Sequence, residues 1–76
     1  MEEKNLVRLR HLRKLSQSQL AKKAGVSKRA IENYEQGVRD INAASGIVLW
    51  RLARALNCLM EELLEMDSLN EHENSF

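Results

Sequence analysis

Apolar and small residues fall in two short stripes between positions 17 and 36. Leu20, Ala21 and Ala24 form the first, and Ala30, Ile31 and Tyr34 the second, with Val26 between them. Spacings of three and four residues mark helices, so the pattern predicts helices over about Gln17–Ala24 and Lys28–Gln36. Gly25 separates them, and glycine can take positive φ at little steric cost, so it can turn the chain sharply. Ser16 and Ser27 stand where a hydroxyl can accept a bond from a backbone N–H two or three residues on. Gly37 follows the second helix, where a left-handed glycine can cap it.

The same reading extends outward. Leu6 and Leu9 make the inner stripe of a first helix over about Glu3–Lys14, continued by Leu15. Val7 is expected to be partly buried, and Leu12, off the stripe, to be more exposed. A later helix carries Ile47, Leu49, Trp50, Leu52, Ala53 and Leu56, with Leu49, Leu52, Ala53 and Leu56 inward and Trp50 on the flank. Asn57 can end it, since Asn tolerates left-handed geometry. A last helix is expected over about Met60–Met66, anchored by Leu63 and Leu64. Leu59 is a poor cap for it, and Glu61 and Glu62 compensate through the helix dipole. Asp67 to Phe76 reads as a polar, acidic, flexible tail, or as the stub of a partner-binding extension.

Composition agrees with an all-α chain. The 76 residues suffice for one domain. There is no proline, and β-branched residues are few and scattered, so strands are not expected. The net charge of +1 conceals an asymmetry. Residues 1–40 hold ten Lys or Arg against five Asp or Glu, and residues 41–76 hold two against six. A basic half suits a polyanion, and an acidic half suits solvent or a protein partner; clusters of this size also occur as solvated helix faces. The single Cys58 has no internal disulfide partner and no companions at zinc-ligand spacing. His11 and His72 lack a ligand pattern. No apolar run approaches the ~18 residues of a membrane span, and MEEKNLVRLR is not a signal peptide. These features predict a soluble cytoplasmic protein. With no Ser/His/Asp grouping, glycine-rich phosphate loop or metal cluster, neither catalysis nor a cofactor is expected.

Gln17, Leu20, Ala21, Gly25, Val26, Ser27, Ile31, Tyr34, Glu35 and Gly37 fall at the spacings of a helix-turn-helix. The stretch resembles that of the phage-repressor-like family, which includes the xenobiotic-response-element regulators, and the resemblance runs from about Leu6 to Leu64. It implies a compact five-helix, lambda-repressor-like DNA-binding domain over residues 1–66, with residues 67–76 as tail. It also implies an ion pair between Arg10 and Glu35, and a phosphate contact at Gln17. Three departures stand out. Lys14 occupies a position that is usually glycine, where lysine costs roughly 1 kcal/mol of strain. Cys58 replaces a buried valine, a place that a small hydrophobe fits. The link after Gly37 lacks the usual proline and is longer, so helix 4 is expected to begin early, near Asn42.

The second helix of such a motif enters the major groove by its N-terminal end. Positions 28, 29, 32 and 33 point away from the Ala30, Ile31, Tyr34 stripe. Lys28 and Arg29 can donate to guanine, Asn33 can pair with adenine, and Glu32 can accept from cytosine. Ser27 is divided between base, phosphate and cap. Phosphate candidates are Gln17, Lys22, Lys23, Arg10, Arg13, Lys14 and Arg39. Tyr34 and Trp50 read as core or interface residues, because base stacking belongs mostly to single-stranded targets. A homodimer is expected, since two half-sites raise affinity and specificity together, with Trp50, Leu59, Met60 and Leu64 at its interface. The sequence therefore points to a transcriptional regulator, a repressor in the leading reading, on double-stranded DNA. The alternative is a protein-interaction module, or an antitoxin-type protein that binds a regulatory partner through the same fold.

Overall fold

The computed structural model describes residues 3–65. These residues form four α-helices and two 3₁₀ turns: α1 (Asn5–Leu12), α2 (Gln17–Ala24), α3 (Lys28–Gln36), a turn at Ile41–Ala43, α4 (Gly46–Leu56) and a turn at Met60–Leu63. Among the described residues there is no strand, and no helix is long and apolar enough to cross a membrane. The tail 67–76 and Met66 lie outside the described residues.

Three elements differ in extent from the sequence expectation, each because of a specific hydrogen bond or a change of backbone conformation. Helix 1 is shorter at both ends. Lys4 is extended, with ψ 151°, and the Asn5 N–H donates to the Glu65 carboxylate at 2.8 Å, so the helix starts there. Lys14 takes φ +59° and closes the other end. Helix 4 begins at Gly46 rather than near Asn42, because extended Ser45 caps it, its Oγ accepting from Val48 N at 3.3 Å. The link forms its own turn, in which Asp40 Oδ1 accepts from Asn42 N at 2.9 Å. The expected fifth α-helix is a single 3₁₀ turn. Leu59 has no side-chain acceptor to cap it, and only the reverse bond is made, Leu59 N to Glu62 Oε1 at 3.2 Å. Beyond Leu63 the Asn42 amide pairs with the backbone of Glu65, accepting from its N–H at 2.8 Å and donating to its carbonyl at 3.0 Å. This draws the chain into an extended path before another helical turn can form.

The core lies where α2, α3 and α4 converge, with α1 and the second 3₁₀ turn closing it. Leu20, Ile31, Leu52, Leu56 and Leu63 are wholly buried, beside Leu6, Leu9 and Tyr34. Each fully buried aliphatic side chain contributes about 2 kcal/mol relative to exposure. Leu12 is exposed. Leu49, expected inward, is only half-buried, while Ile41 and Ala55, absent from the expected stripes, are core residues. Arg13 spans the molecule to the end of α4, donating from Nε to the Leu56 carbonyl at 2.7 Å and from Nη2 to the Asn57 carbonyl at 3.2 Å. Those are carbonyls that a helix C-terminus leaves without intrahelical partners. Asn57 ends α4 in the left-handed region at φ +53°.

Candidate nucleic-acid interface

The α2–α3 unit is shaped by short-range bonds. Ser16 Oγ accepts from Gln19 N at 3.0 Å, and Gln19 Oε1 accepts from Ser16 N at 2.8 Å, a reciprocal capping box at the start of α2. Gly25 ends α2 at φ +69°, and its N–H donates to the Ala21 carbonyl at 2.9 Å. A Cβ at Gly25 would meet nothing within 4 Å, so the backbone angle, not space, demands glycine there. The Gly25 carbonyl accepts from Arg51 Nη1 at 3.3 Å, which ties the turn to α4. Ser27 Oγ accepts from Ala30 N at 3.1 Å and starts α3.

Helix α3 has a sharp division of faces. Ile31 and Tyr34 are buried against the core. Lys28 and Arg29 are exposed at the N-terminal end, with Glu32 and Asn33 half-exposed one turn on. Ser27 spends its acceptor on the cap but keeps a hydroxyl proton to donate.

The far end of α3 is tied down by Glu35. Its carboxylate accepts from Arg10 Nε at 2.7 Å and Nη2 at 3.0 Å, and from Gln17 Nε2 at 2.9 Å. Arg10 Nη1 also donates to the Leu15 carbonyl at 2.9 Å. The Arg10 and Glu35 side chains retain only 11% and 7% of their exposure, so the pair is largely shielded from water. One network thus joins α1, the start of α2 and the end of α3. An amide carries two N–H bonds, and Glu35 takes one of them from Gln17.

Three phosphate candidates therefore have work inside the protein, Gln17 through its bond to Glu35 and two arginines besides. Arg10 spends its nitrogens on Glu35 and Leu15, and Arg13 spends its own on the end of α4. Lys14, Lys22, Lys23 and Arg39 are exposed. Arg39 lies 5.9 Å from the Tyr34 ring centroid and lines a recess with Ala30, Tyr34, Asp40, Ser45 and Val48, between α3 and the start of α4. Ser45 was not singled out in the sequence, although a serine ahead of the apolar-periodic run from Gly46 is a helix-start signal. Lys23 stands on the other side, in a groove with Trp50, Arg51 and Arg54. Of the four interface candidates, Trp50 and Leu59 are exposed, whereas Met60 and Leu64 are half-buried. Met60 packs against the core, and the Leu64 carbonyl accepts from Asn5 Nδ2 at 2.7 Å. Among the described residues no cluster of three His, Cys, Asp or Glu could hold a metal ion.

A capped helix that presents cations and amides outward, held by a second helix across a glycine turn, defines a helix-turn-helix DNA-binding protein. Residues 6–63 match the helix-turn-helix family of the Cro/C1 type, and the chain belongs to that family. It is a DNA-binding transcription regulator. Among solved structures it is similar to the restriction-modification controller protein C.AhdI from Aeromonas hydrophila, at 32% identity and a TM-score of 0.69, covering 79% of this chain and 86% of that one. No curated protein matches the chain.

Proposed function

We propose that this protein represses transcription by binding a two-fold operator as a homodimer, with α3 of each copy in the major groove. The observation that carries the reading is the division of α3: Lys28 and Arg29 stand in solvent at its capped N-terminus while Ile31 and Tyr34 are buried behind them. Lys28, Arg29 and Asn33 read base edges, with Glu32 and Ser27 contributing at the margins. Lys22, Arg39 and the second N–H of Gln17 hold phosphates, and Lys23 adds charge beside them. The likeness to a restriction-modification controller protein supports a regulatory role.

A specific observation keeps a protein partner in view. Ile47, Trp50 and Leu59 are exposed at 54%, 46% and 61%, and together they suit a protein contact better than they suit solvent. A second copy satisfies that contact within the same reading; an interaction module or antitoxin would use it for a different chain.

Selection of bound duplexes from a random pool, followed by gel shift at low salt, tests the function. The expected result is an enriched sequence with two-fold symmetry. Failure to enrich any sequence would overturn sequence-specific binding. The Lys28→Ala, Arg29→Ala double variant should lose the selected site, and equal binding by that variant would overturn the assignment of the reading residues.

A further inference from the structure

Four hydrogen bonds fix where the described chain leaves the fold. Asn42 holds the Glu65 backbone, accepting from its N–H at 2.8 Å and donating to its carbonyl at 3.0 Å. Asn5 donates from its N–H to the Glu65 carboxylate at 2.8 Å and from Nδ2 to the Leu64 carbonyl at 2.7 Å. The exit lies at the C-terminal end of α3, where Glu65 lines a recess with Lys4, Tyr34, Gly37, Arg39 and Asp40. The Lys4 stem crosses that end, since a Cβ on Gly37 would stand 3.4 Å from Lys4 Cε. Both carboxylates there are already engaged, Glu65 by Asn5 and Asp40 by Asn42 N at 2.9 Å. Tyr34, Arg39 and Asp40 also line the recess between α3 and the start of α4, which reaches Ala30. A furrow thus runs from the exit along α3 toward Lys28 and Arg29, which are exposed at its far end.

The sequence after Glu65 matches that path in charge and length. Residues 66–76 contain Asp67, Glu71 and Glu73 and no Lys or Arg. The nine residues of α3 are about 14 Å long. Residues 66–73 span up to about 27 Å when extended, enough to follow α3 from one end to the other. We infer that this acidic segment docks along α3 of its own chain, with Asp67 against Lys4 and Arg39, and Glu71 and Glu73 against Lys28 and Arg29. It occupies the cations that DNA engages, and the tether keeps its effective concentration high. The inference rests on α3 being the DNA-binding face, and adds a competitor that the chain carries itself. Every duplex must displace the segment before α3 enters the groove.

Neutralising the segment in the full chain is the test, with Asp67→Asn, Glu71→Gln and Glu73→Gln made together. These substitutions leave every core residue in place. Amide NMR spectra of the neutralised and wild-type chains, recorded without DNA at low salt, should differ at Arg29, Gly37 and Arg39. The differences should fade at high salt, which screens exposed ion pairs. The neutralised chain should bind duplexes about three- to tenfold more tightly, the worth of a few exposed pairs. In the Lys4→Ala, Arg39→Ala background the gain should fall below about twofold, because the segment has lost its anchor at the exit. An equal gain in that background would show that the segment acts only through overall charge, and overturns the docking. Equal affinity of the neutralised and wild-type chains overturns it too. So do spectra that coincide along α3, or that differ only at the groove of Lys23, Trp50, Arg51 and Arg54, which would then be the place the segment occupies. If no duplex is bound at all, the DNA-binding reading fails, and the spectra still decide the docking.

Discussion

The Arg10 guanidinium donates to both carboxylate oxygens of Glu35, Nε to Oε2 at 2.7 Å and Nη2 to Oε1 at 3.0 Å, across 25 residues of sequence. A two-pronged pair of this kind fixes orientation as well as distance. Gln17 donates to the same carboxylate, so the two helices of the DNA-binding unit and the helix behind them share one anchor.

Replacing Arg10 by Met should therefore be costly. It strands a carboxylate that is nearly out of water, a loss on the order of 3 kcal/mol. Urea denaturation should show a large fall in midpoint, and Glu35→Gln in the Arg10→Met background should recover part of it. An unchanged midpoint and unchanged operator affinity would mean that the pair holds nothing in place.

Lys14 stands at φ +59°, a conformation that costs a residue with a Cβ about 1 kcal/mol. Lys14→Gly should relieve this strain, less what the more flexible unfolded chain takes back. The expected net gain is about 0.5 kcal/mol or somewhat more, a rise of a few degrees in melting temperature for a domain of this size. A lower melting temperature would show that the lysine stem packs in a way that outweighs the strain.

The Cys58 thiol is pushed above its ordinary pKa of 9.0, first by burial and then by the nearby Glu62 carboxylate, with Arg13 opposing. The folded protein therefore holds the proton at a pH where the unfolded chain has released it. The resulting stability is fully present below the ordinary value and is lost as pH rises through the raised one. Cys58→Val removes this dependence. The difference in urea midpoint between wild type and Cys58→Val should be constant near neutral pH and shift in favour of the valine variant above about pH 9. A difference that stays flat into the alkaline range would rule out a thiol that titrates high.

Base reading and phosphate contact separate in their response to salt. Arg39→Ala should weaken binding to all duplexes alike and lower the slope of log K against log salt by about 1. Asn33→Ala should cost about 1–3 kcal/mol on the selected site and relax preference at one base pair, with little change in slope. If Arg39→Ala altered sequence preference, or if Asn33→Ala weakened all duplexes equally, the two roles would have to be exchanged.

What the sequence by itself determined is the α2–turn–α3 unit and its outward face. Its determinants are local: hydroxyls bonding N–H groups three residues on at Ser16 and Ser27, glycines free to take positive φ at Gly25 and Gly37, and apolar stripes at helical spacing. Each acts within one or two turns, so a reading of neighbouring residues suffices. The left-handed end of α4 at Asn57 was legible for the same reason. Tertiary structure decided the remainder. The start of α1, the path after Leu63 and the loss of a fifth α-helix depend on Glu65 meeting Asn5 and Asn42, which lie 60 and 23 residues away. The bonding of Arg13 to the end of α4 depends on a carbonyl 43 residues distant. Gln17 came to share Glu35 with Arg10 only because packing brought the start of α2 against the end of α3. No helical or strand period encodes such meetings. They arise when a polar group near the core must find a partner among whatever groups the fold has brought within reach.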